Sequence, residues 1–261
     1  MTESGQAGSR LATKRRFSFA SGVSFEARID PPDGLVTFVD VLPDIYSISD
    51  ELVSMSVKDQ AARGQHVSCA RGCTLCCRHL VAVSDHEAIL LAHIINNMLE
   101  GDEKQSLLRR LGKIVSILER TGLLSEMIDS HANAFADRGR IINAQRRYWE
   151  MQIPCPFLVS DSCSIYPYRP FLCRQYLVSS PPVSCEGSFK ADHLVRKVTV
   201  KYDLASAAAS FDGCEAKSTM AIPLPAINIV NGLLSNFRRP KAPADVMIAA
   251  FLRHAETHFS G

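Results

Sequence analysis

Eight of the nine cysteines fall into two groups of four, a pattern that is typical of metal binding. The first group is Cys69, Cys73, Cys76 and Cys77, and the second is Cys155, Cys163, Cys173 and Cys185. Thiolates are soft ligands that suit zinc and iron–sulfur clusters, and both prefer tetrahedral sulfur surroundings at each metal. The two groups therefore predict one or two thiolate-rich sites holding zinc or an iron–sulfur cluster, whereas calcium and magnesium are disfavoured.

The spacing within the groups favours a site of mixed origin. Cys76 and Cys77 are neighbours, so their side chains leave the backbone in different directions and are awkward ligands for a single ion. Neither group has the paired C-x2-C … C-x2-C spacing of a zinc ribbon. We therefore expect the early loop and the late segment each to contribute ligands, with the pairing of individual cysteines left open. The alternative, that the thiols are simply small buried side chains, is disfavoured by four thiols within nine residues.

Other residues of the late segment suit an anionic centre. Arg169 and Arg174 could donate hydrogen bonds to sulfur and offset the negative charge of several thiolates. Surface salt bridges are the alternative role for these two arginines. Pro156, Pro167 and Pro170 stiffen the segment and lower the entropy that it loses on ordering.

The combined pattern is C-x3-C-x2-C-C, then CPFL, then C-x-I-Y-x2-R-P-x2-C-R. It resembles the YkgJ-type cysteine-cluster family, which is described as a zinc- or iron-chelating domain. The resemblance covers roughly residues 69–185 and implies that all eight cysteines are metal ligands. It also assigns a second motif to Ile165, Tyr166, Arg169, Pro170 and Arg174. We expect Tyr166 and the two arginines to surround the ligands.

The same resemblance leaves several functions open. It extends to bacterial flagellin lysine N-methylases, which are similar in their cysteine cluster, and so implies an iron–sulfur-dependent protein-lysine methyltransferase as an alternative. A zinc-stabilised interaction module and a thiol redox sensor are further alternatives. The spacing C-x3-C-x2-C also occurs in radical S-adenosylmethionine enzymes, but the helical sequence after the motif does not favour their barrel. Whether the chain is an enzyme, and which protein partner or substrate it meets, stays open.

Some chemically capable residues lie outside this pattern. His79, close to Cys77, is a candidate ligand or proton carrier, although an ordinary histidine is the favoured interpretation. His254 and His258 have the i, i+4 spacing of a zinc site, but no third ligand is evident, which favours an exposed terminal helix. Cys214 stands apart and is interpreted as a lone structural thiol.

Composition narrows the class of protein. Hydrophobic residues make up 46% of the chain and charged residues 21%, which is enough for a sizeable core, and the net charge of +2 does not favour nucleic acid or acidic lipid as the main partner. The most apolar stretch, residues 88–95, is far shorter than the roughly 20 residues of a membrane span. The N-terminus shows no secretory signal, so we expect a cytoplasmic protein with reduced thiols.

The sequence predicts a mainly α fold of the α+β type, and the helices and strands of this fold must position the cysteines. We expect antiparallel helices and a small β-hairpin or strand element around an irregular cysteine-rich metal site. Residues 1–16 are predicted to be a mobile basic tail, and residues 17–261 a single domain with its metal-chelating core at about 66–190.

Local signals predict individual elements. A hairpin is expected from strands at 25–29 and 35–42, joined by the turn residues 31–34. A helix at 50–63 is predicted to have Ser49 as its N-cap and Gly64 as its stop. Ser84 and Glu87 predict a capping box that opens the next helix. Further helices are predicted at 103–121, 123–136, 140–151 and 243–259, and a strand at 197–202.

Overall fold

The architecture of this chain is mainly α-helical. A computed structural model describes residues 13–18, 24–29, 32–70, 72–132, 138–190, 194–234 and 239–258. The described residues contain ten α-helices and four antiparallel strand pairs. This confirms the predicted mainly α class with a small β component. None of the helices within them combines the length and apolar character that a bilayer crossing requires.

Most of the helices are short and lie in the second half of the chain. They are α1 (Phe38–Ala62), α2 (Asp85–Asn97), α3 (Gly101–Arg120), α4 (Leu123–Ala132), α5 (Arg138–Glu150), α6 (Phe171–Gln175), α7 (Val183–Glu186), α8 (Leu204–Ala209), α9 (Ile227–Leu234) and α10 (Ala244–Ala255). The strands are β1 (Thr13–Ser18), β2 (Ser24–Ile29), β3 (Leu35–Val36), β4 (Ala82–Ser84), β5 (Leu158–Val159), β6 (Ser162–Cys163), β7 (Ala221–Pro223) and β8 (Ala242–Pro243). Turns of 3-10 helix occur at Leu75–Arg78, Tyr166–Tyr168 and Leu224–Ala226.

The predicted hairpin between residues 25–29 and 35–42 is wrong. Strand β2 pairs with β1 instead, and β3 pairs with β8 near the other end of the chain, with Leu35 opposite Pro243. Residues 13–16 of the predicted tail therefore belong to β1, and residues 1–12 lie outside the described residues. The cause is the early start of α1, which leaves only two residues of the expected second strand extended.

Helix α1 begins well before the predicted N-cap. Thr37 precedes the helix, and both its backbone N and its Oγ1 donate to Asp40 Oδ2 over 2.7 Å, so that a local cap forms in a segment of high β-propensity. Ser49, the predicted cap, is instead fully buried inside the helix. The predicted stop is confirmed, because Gly64 has a φ of 78° and donates to the carbonyl of Ala61.

Among the predictions for the rest of the chain, the helices are found and the strand is wrong. The expected helices correspond to α3, α4, α5 and α10, and residues 133–136 lie outside the described residues. The predicted strand at 197–202 does not form, because Lys197 makes only an isolated bridge with Val178. Two backbone hydrogen bonds of 2.8 Å flank the bridge, from Val198 N to Leu177 O and from Ser179 N to Arg196 O. These bonds hold residues 196–198 extended against the late segment without a ladder.

The described residues form two hydrophobic clusters. The larger joins α1, α2, α6, α8 and α10, and Phe38 lies near its centre with its ring 4.8 Å from that of Phe251. The smaller joins α3, α4 and α5 and includes Leu80, which lies three residues after Cys77. Cys155 and Cys163 pack against the larger cluster. The larger cluster therefore supports part of the late cysteine segment.

The predicted capping box of α2 is confirmed, and its glutamate also bonds residues outside α2. Ser84 Oγ accepts from Glu87 N over 3.2 Å, and Glu87 Oε2 accepts from Ser84 N over 2.9 Å. The second carboxylate oxygen, Oε1, accepts from Tyr46 Oη over 3.3 Å and from Phe171 N over 2.8 Å. Glu87 is 1% exposed, so one buried carboxylate joins α1, α2 and the first residue of α6.

A neighbouring buried histidine makes the stability of the fold sensitive to acid. His86 Nε2 lies 2.8 Å from the carbonyl of Phe211, to which it donates, and Nδ1 is buried without a partner among the described residues. Burial lowers the pKa of His86 to about 4. The charge of Asp85 opposes this shift, and the charge of Lys217 adds a smaller lowering effect. The folded protein therefore holds the neutral ring.

Acidification is expected to unfold the protein partly through His86. The pKa of His86 in the folded protein lies below its ordinary value of about 6.5, so its contribution to the free energy of unfolding is complete above pH 6.5. This contribution, about 3 kcal/mol, is lost as the pH falls toward 4. Urea unfolding of the wild type and of His86→Gln between these pH values measures the difference. The variant can still donate to Phe211 but does not titrate. Equal pH slopes in the two proteins would show that His86 is not responsible.

Candidate metal centre

The first cysteine group lies on an irregular loop that ends in a 3-10 turn. Ser68 N donates to the carbonyl of Val178 over 2.9 Å, so the loop begins against the late segment. Gly72, with a φ of 87°, turns the chain, and the turn Leu75–Arg78 then carries Cys76 and Cys77. The loop thus places its four thiols beside residues that lie about 100 positions later in sequence.

The second group is brought to this loop by direct backbone contact. Cys155 N donates to the carbonyl of Cys77 over 2.7 Å. Strands β5 and β6 then form a tight hairpin that places Cys163 opposite Leu158. Cys173 lies in α6, whose first amide donates to Glu87. Cys185 lies in α7, which packs against the 3-10 turn of the first group.

Cys76 is the thiol whose charge affects the largest number of other cysteines in the two groups. A side-chain hydrogen bond with Cys77, followed by burial, raises the pKa of Cys76. The charge of a Cys76 thiolate in turn raises the pKa values of cysteines from both segments, namely Cys69, Cys155, Cys163, Cys173 and Cys185. Charges on thiol groups shift one another's pKa values in this way only when the groups lie close together in a poorly solvated region. The structure therefore places the early cysteine loop beside the late segment, whereas the predicted sharing of one metal site stays a prediction.

Apart from Cys76 and its neighbour Cys77, the clustered thiols separate into two subsets. The loop subset is Cys69, Cys73 and Cys185, and the late subset is Cys155, Cys163 and Cys173. In the loop subset, the charge of Cys73 raises the pKa values of Cys69 and Cys185. In the late subset, the charge of Cys163 raises the pKa values of Cys155 and Cys173. The charge of Cys76 acts on cysteines of both subsets. The sequence groups are thus reorganised, because Cys185 joins the early loop and Cys76 approaches the late segment.

The thiols do not resemble activated nucleophiles. Burial is the main cause that raises the pKa of Cys155 to about 12 and the pKa of Cys173 well above its ordinary value. Burial also raises the pKa values of Cys69, Cys163 and Cys185. Reactive cysteines have lowered pKa values, so this arrangement does not favour thiol redox chemistry. A bound cation would instead favour the thiolate form of these cysteines, because metal coordination deprotonates thiols outright.

Arg174 organises the loop that leads to Cys173. It is 2% exposed and donates from Nε to the carbonyl of Arg169 over 2.7 Å, from Nη1 to Asp50 Oδ2 over 2.5 Å and from Nη2 to the carbonyl of Pro167. Its guanidinium lies 4.3 Å from the ring centre of Tyr46. All three of these hydrogen bonds go to oxygen, so its effect on sulfur within the described structure is through charge, which lowers the pKa of Cys163.

Arg169 has a donor available for an anionic group. Its Nε is buried and has no hydrogen-bond partner within the described ranges. Its positive charge lowers the pKa values of Cys76 and Cys163, which places it beside both. The guanidinium also lies 4.2 Å from the ring centre of Tyr166, a residue that is 58% exposed. A buried N–H without a partner is costly, and a sulfur-ligated anionic centre would satisfy it.

The donor set fits a thiolate-bound metal, although the side chains are not arranged around a single ion. Among the described residues, no three His, Cys, Asp or Glu side chains form a compact group that could hold one metal ion. Four thiolates at about 2.3 Å from one zinc ion would require such a group. The thiols would therefore have to turn inward for zinc, or surround a larger cluster.

The three histidines that the sequence offers as candidate ligands make other contacts. His79 stacks on Trp149 with 4.6 Å between ring centres, and burial, followed by the charge of Lys197, lowers its pKa to about 4. The Nε2 atoms of His254 and His258 lie 2.9 and 3.1 Å from Ser210 Oγ. Ser210 thus occupies the place where the i, i+4 pair would hold a metal. Cys214 is exposed, in keeping with its separation from the two groups.

Two features near the centre could not be identified from sequence. Glu87 was recognisable as a capping residue, but nothing in the sequence indicates its bond to Phe171, the residue that begins the helix of Cys173. Trp149 was recognisable only as the chain's single tryptophan. In the structure it lines a cavity of about 330 Å³ together with residues that adjoin Cys76, Cys77 and Cys185 in sequence.

The comparisons with known proteins add no relative. Comparisons with protein-family models, with curated proteins and with solved structures give no match to this chain.

Proposed function

We propose that this chain is a metal-binding protein whose eight clustered cysteines hold a zinc or iron–sulfur centre. The observation that carries the proposal is the convergence of two distant cysteine segments, fixed by the 2.7 Å bond from Cys155 N to the carbonyl of Cys77. The resemblance of the cysteine pattern to the YkgJ-type family agrees with this proposal. Cys69, Cys73, Cys76, Cys77, Cys155, Cys163, Cys173 and Cys185 would supply the ligands.

The electrostatics of the site support a cation as its occupant. Burial and the proximity of other thiolates raise the pKa values of Cys155 and Cys173, so these thiols lie in the cluster although neither is stabilised as an anion. A zinc ion or an iron–sulfur cluster supplies the positive charge that makes several buried thiolates compatible. The unpartnered Nε of Arg169 provides a hydrogen-bond donor for the residual negative charge.

Metal binding also explains how the late segment stays ordered. Between Pro154 and Pro182 it contains only two-residue strands, a 3-10 turn and a five-residue helix. Such a segment has few ladder hydrogen bonds to offset its loss of conformational entropy. Ligands from both segments would crosslink it to the loop of Cys76 and couple metal binding to folding.

Metal analysis tests the proposal directly. The full chain, purified without oxygen or chelators, is expected to contain zinc, or iron with matching sulfide and a broad visible absorption. Zinc without visible absorption would favour a structural role, and iron with sulfide would favour an electron-transfer or enzymatic role. A protein that contains neither metal, and that takes up neither added Zn²⁺ nor Co²⁺, would contradict the proposal.

A further inference from the structure

We propose that the cavity beside the cysteine centre binds a small zwitterion of the α-amino-acid type. The cavity has a volume of about 330 Å³ and is lined by Leu75, Arg78, Trp149, Gln152 and Glu186. This volume lies at the lower end of the range for ligand pockets, about 300–1,000 Å³, and suits a molecule of amino-acid size. The inference goes beyond metal binding and does not require a metal.

Opposite charges in the cavity identify the ligand chemistry. Arg78 and Glu186 both line it, with Arg78 partly buried and Glu186 exposed. Their side chains form no ion pair with each other, and neither side chain has a hydrogen bond or ion pair to the residues that the structure describes. Two unpaired charges of opposite sign in one small cavity are complementary to a molecule that carries both charges. The carboxylate of a zwitterion would meet Arg78 and its ammonium would meet Glu186.

The remaining walls suit the apolar part of such a molecule. Trp149 is held by the stacked ring of His79, with an interplanar angle of 26°, and Leu75 adds an aliphatic contact. Gln152 is anchored because its Nε2 donates to the carbonyl of Trp149 over 2.8 Å. A fixed aromatic wall offers contact area without a further loss of side-chain entropy.

The position of the cavity links the ligand to the cysteine centre. Leu75 and Arg78 are the first and last residues of the 3-10 turn that carries Cys76 and Cys77, and Glu186 directly follows Cys185. A bound zwitterion would therefore lie against the backbone that positions three of the thiols. We expect its binding to change the absorption of a metal-loaded protein.

Intrinsic fluorescence tests the proposal, because Trp149 is the only tryptophan of the chain and lines the cavity. The purified full chain is titrated with glycine, L-leucine and L-phenylalanine, and calorimetry provides a second measurement. L-Leucine is expected to produce a saturable change in emission. L-Leucinamide, which lacks the carboxylate, and N-acetyl-L-leucine, which lacks the ammonium, should each bind about tenfold or more weakly, since each loses a charge-assisted contact.

Charge-neutral variants complete the test. Arg78→Gln and Glu186→Gln are each expected to weaken L-leucine binding about tenfold or more. The matched controls are Arg146→Gln and Glu150→Gln, which remove the same charges from exposed positions of α5 that do not line the cavity. The controls should bind like the wild type.

Three outcomes would overturn the proposal. They are no saturable change with any of the three zwitterions, equal binding of the amide or the N-acetyl analogue, and equal effects of the cavity variants and their controls. Metal content is measured in every sample. Loss of zwitterion binding with the metal retained contradicts this inference alone, whereas zwitterion binding by a chain that takes up no metal contradicts only the proposed metal-binding function.

Discussion

Replacing Cys76 with serine is expected to weaken metal binding at least tenfold and to lower the melting midpoint of the purified protein. Cys76 is the thiol whose charge acts on both the loop subset and the late subset, so its loss affects the ligands of both segments. Losing about 3 kcal/mol of metal-linked stability would lower the midpoint by roughly 6–12 °C. Metal analysis after a chelator challenge and thermal melting measure the two effects.

The controls for Cys76→Ser separate metal loss from damaged packing. Cys214→Ser removes an exposed thiol outside the two groups and should leave metal content and midpoint unchanged. Cys69→Ser and Cys163→Ser each remove a thiol from one subset and should weaken metal binding less than Cys76→Ser. After the metal is removed, the wild type and Cys76→Ser should melt at similar temperatures. A variant that keeps its full metal content would show that Cys76 is not a ligand.

Replacing Glu87 with alanine is expected to destabilise the fold by about 3–7 kcal/mol. The substitution leaves Tyr46 Oη and Phe171 N buried without an acceptor, at about 1–3 kcal/mol each, and removes the capping box of α2, worth about 1 kcal/mol. Urea unfolding with an unchanged m-value would measure the loss. Because Phe171 begins the helix of Cys173, metal affinity should fall as well.

Two further substitutions test whether the carboxylate itself matters. Glu87→Gln keeps one acceptor for Phe171 N but places an amide NH2 group near the donors of Ser84, so we expect roughly half of the loss seen with alanine. Glu119→Ala changes an exposed glutamate of α3 and should alter stability by less than about 0.5 kcal/mol. If Glu87→Ala were as mild as Glu119→Ala, the buried carboxylate would not be a link between the three helices.

Short-range signals in the sequence predict local structure well here. The S-x-x-E pattern at Ser84 predicts a capping box, and the structure contains both of its hydrogen bonds. The same logic applies to Thr37 and Asp40, where the β-rich composition of residues 35–42 favours the wrong element. Caps are recognisable because both partners lie within four residues, but competing propensities hide some of them.

Long-range contacts set the limit of such predictions. The cysteine spacing indicates that two segments converge, and the structure brings them together. Spacing does not reveal that Cys185 joins the early loop while Cys76 approaches the late segment, because that division depends on the packing of α7 and α6. The second oxygen of Glu87 likewise bonds Phe171, 84 residues away, which no local pattern encodes.

The pairing of β3 with β8 has a consequence for the synthesis of the chain. Leu35 and Val36 find their strand partners only at Pro243 and Ala242, and α1 likewise packs against α10. At a synthesis rate of about 5–20 residues per second, the start of the domain waits roughly 10–40 s for this partner to emerge. During that time the apolar face of α1, with Phe38 at its start, lacks its final cover. Truncations that remove α10 should therefore expose this face and be prone to aggregation in the cell.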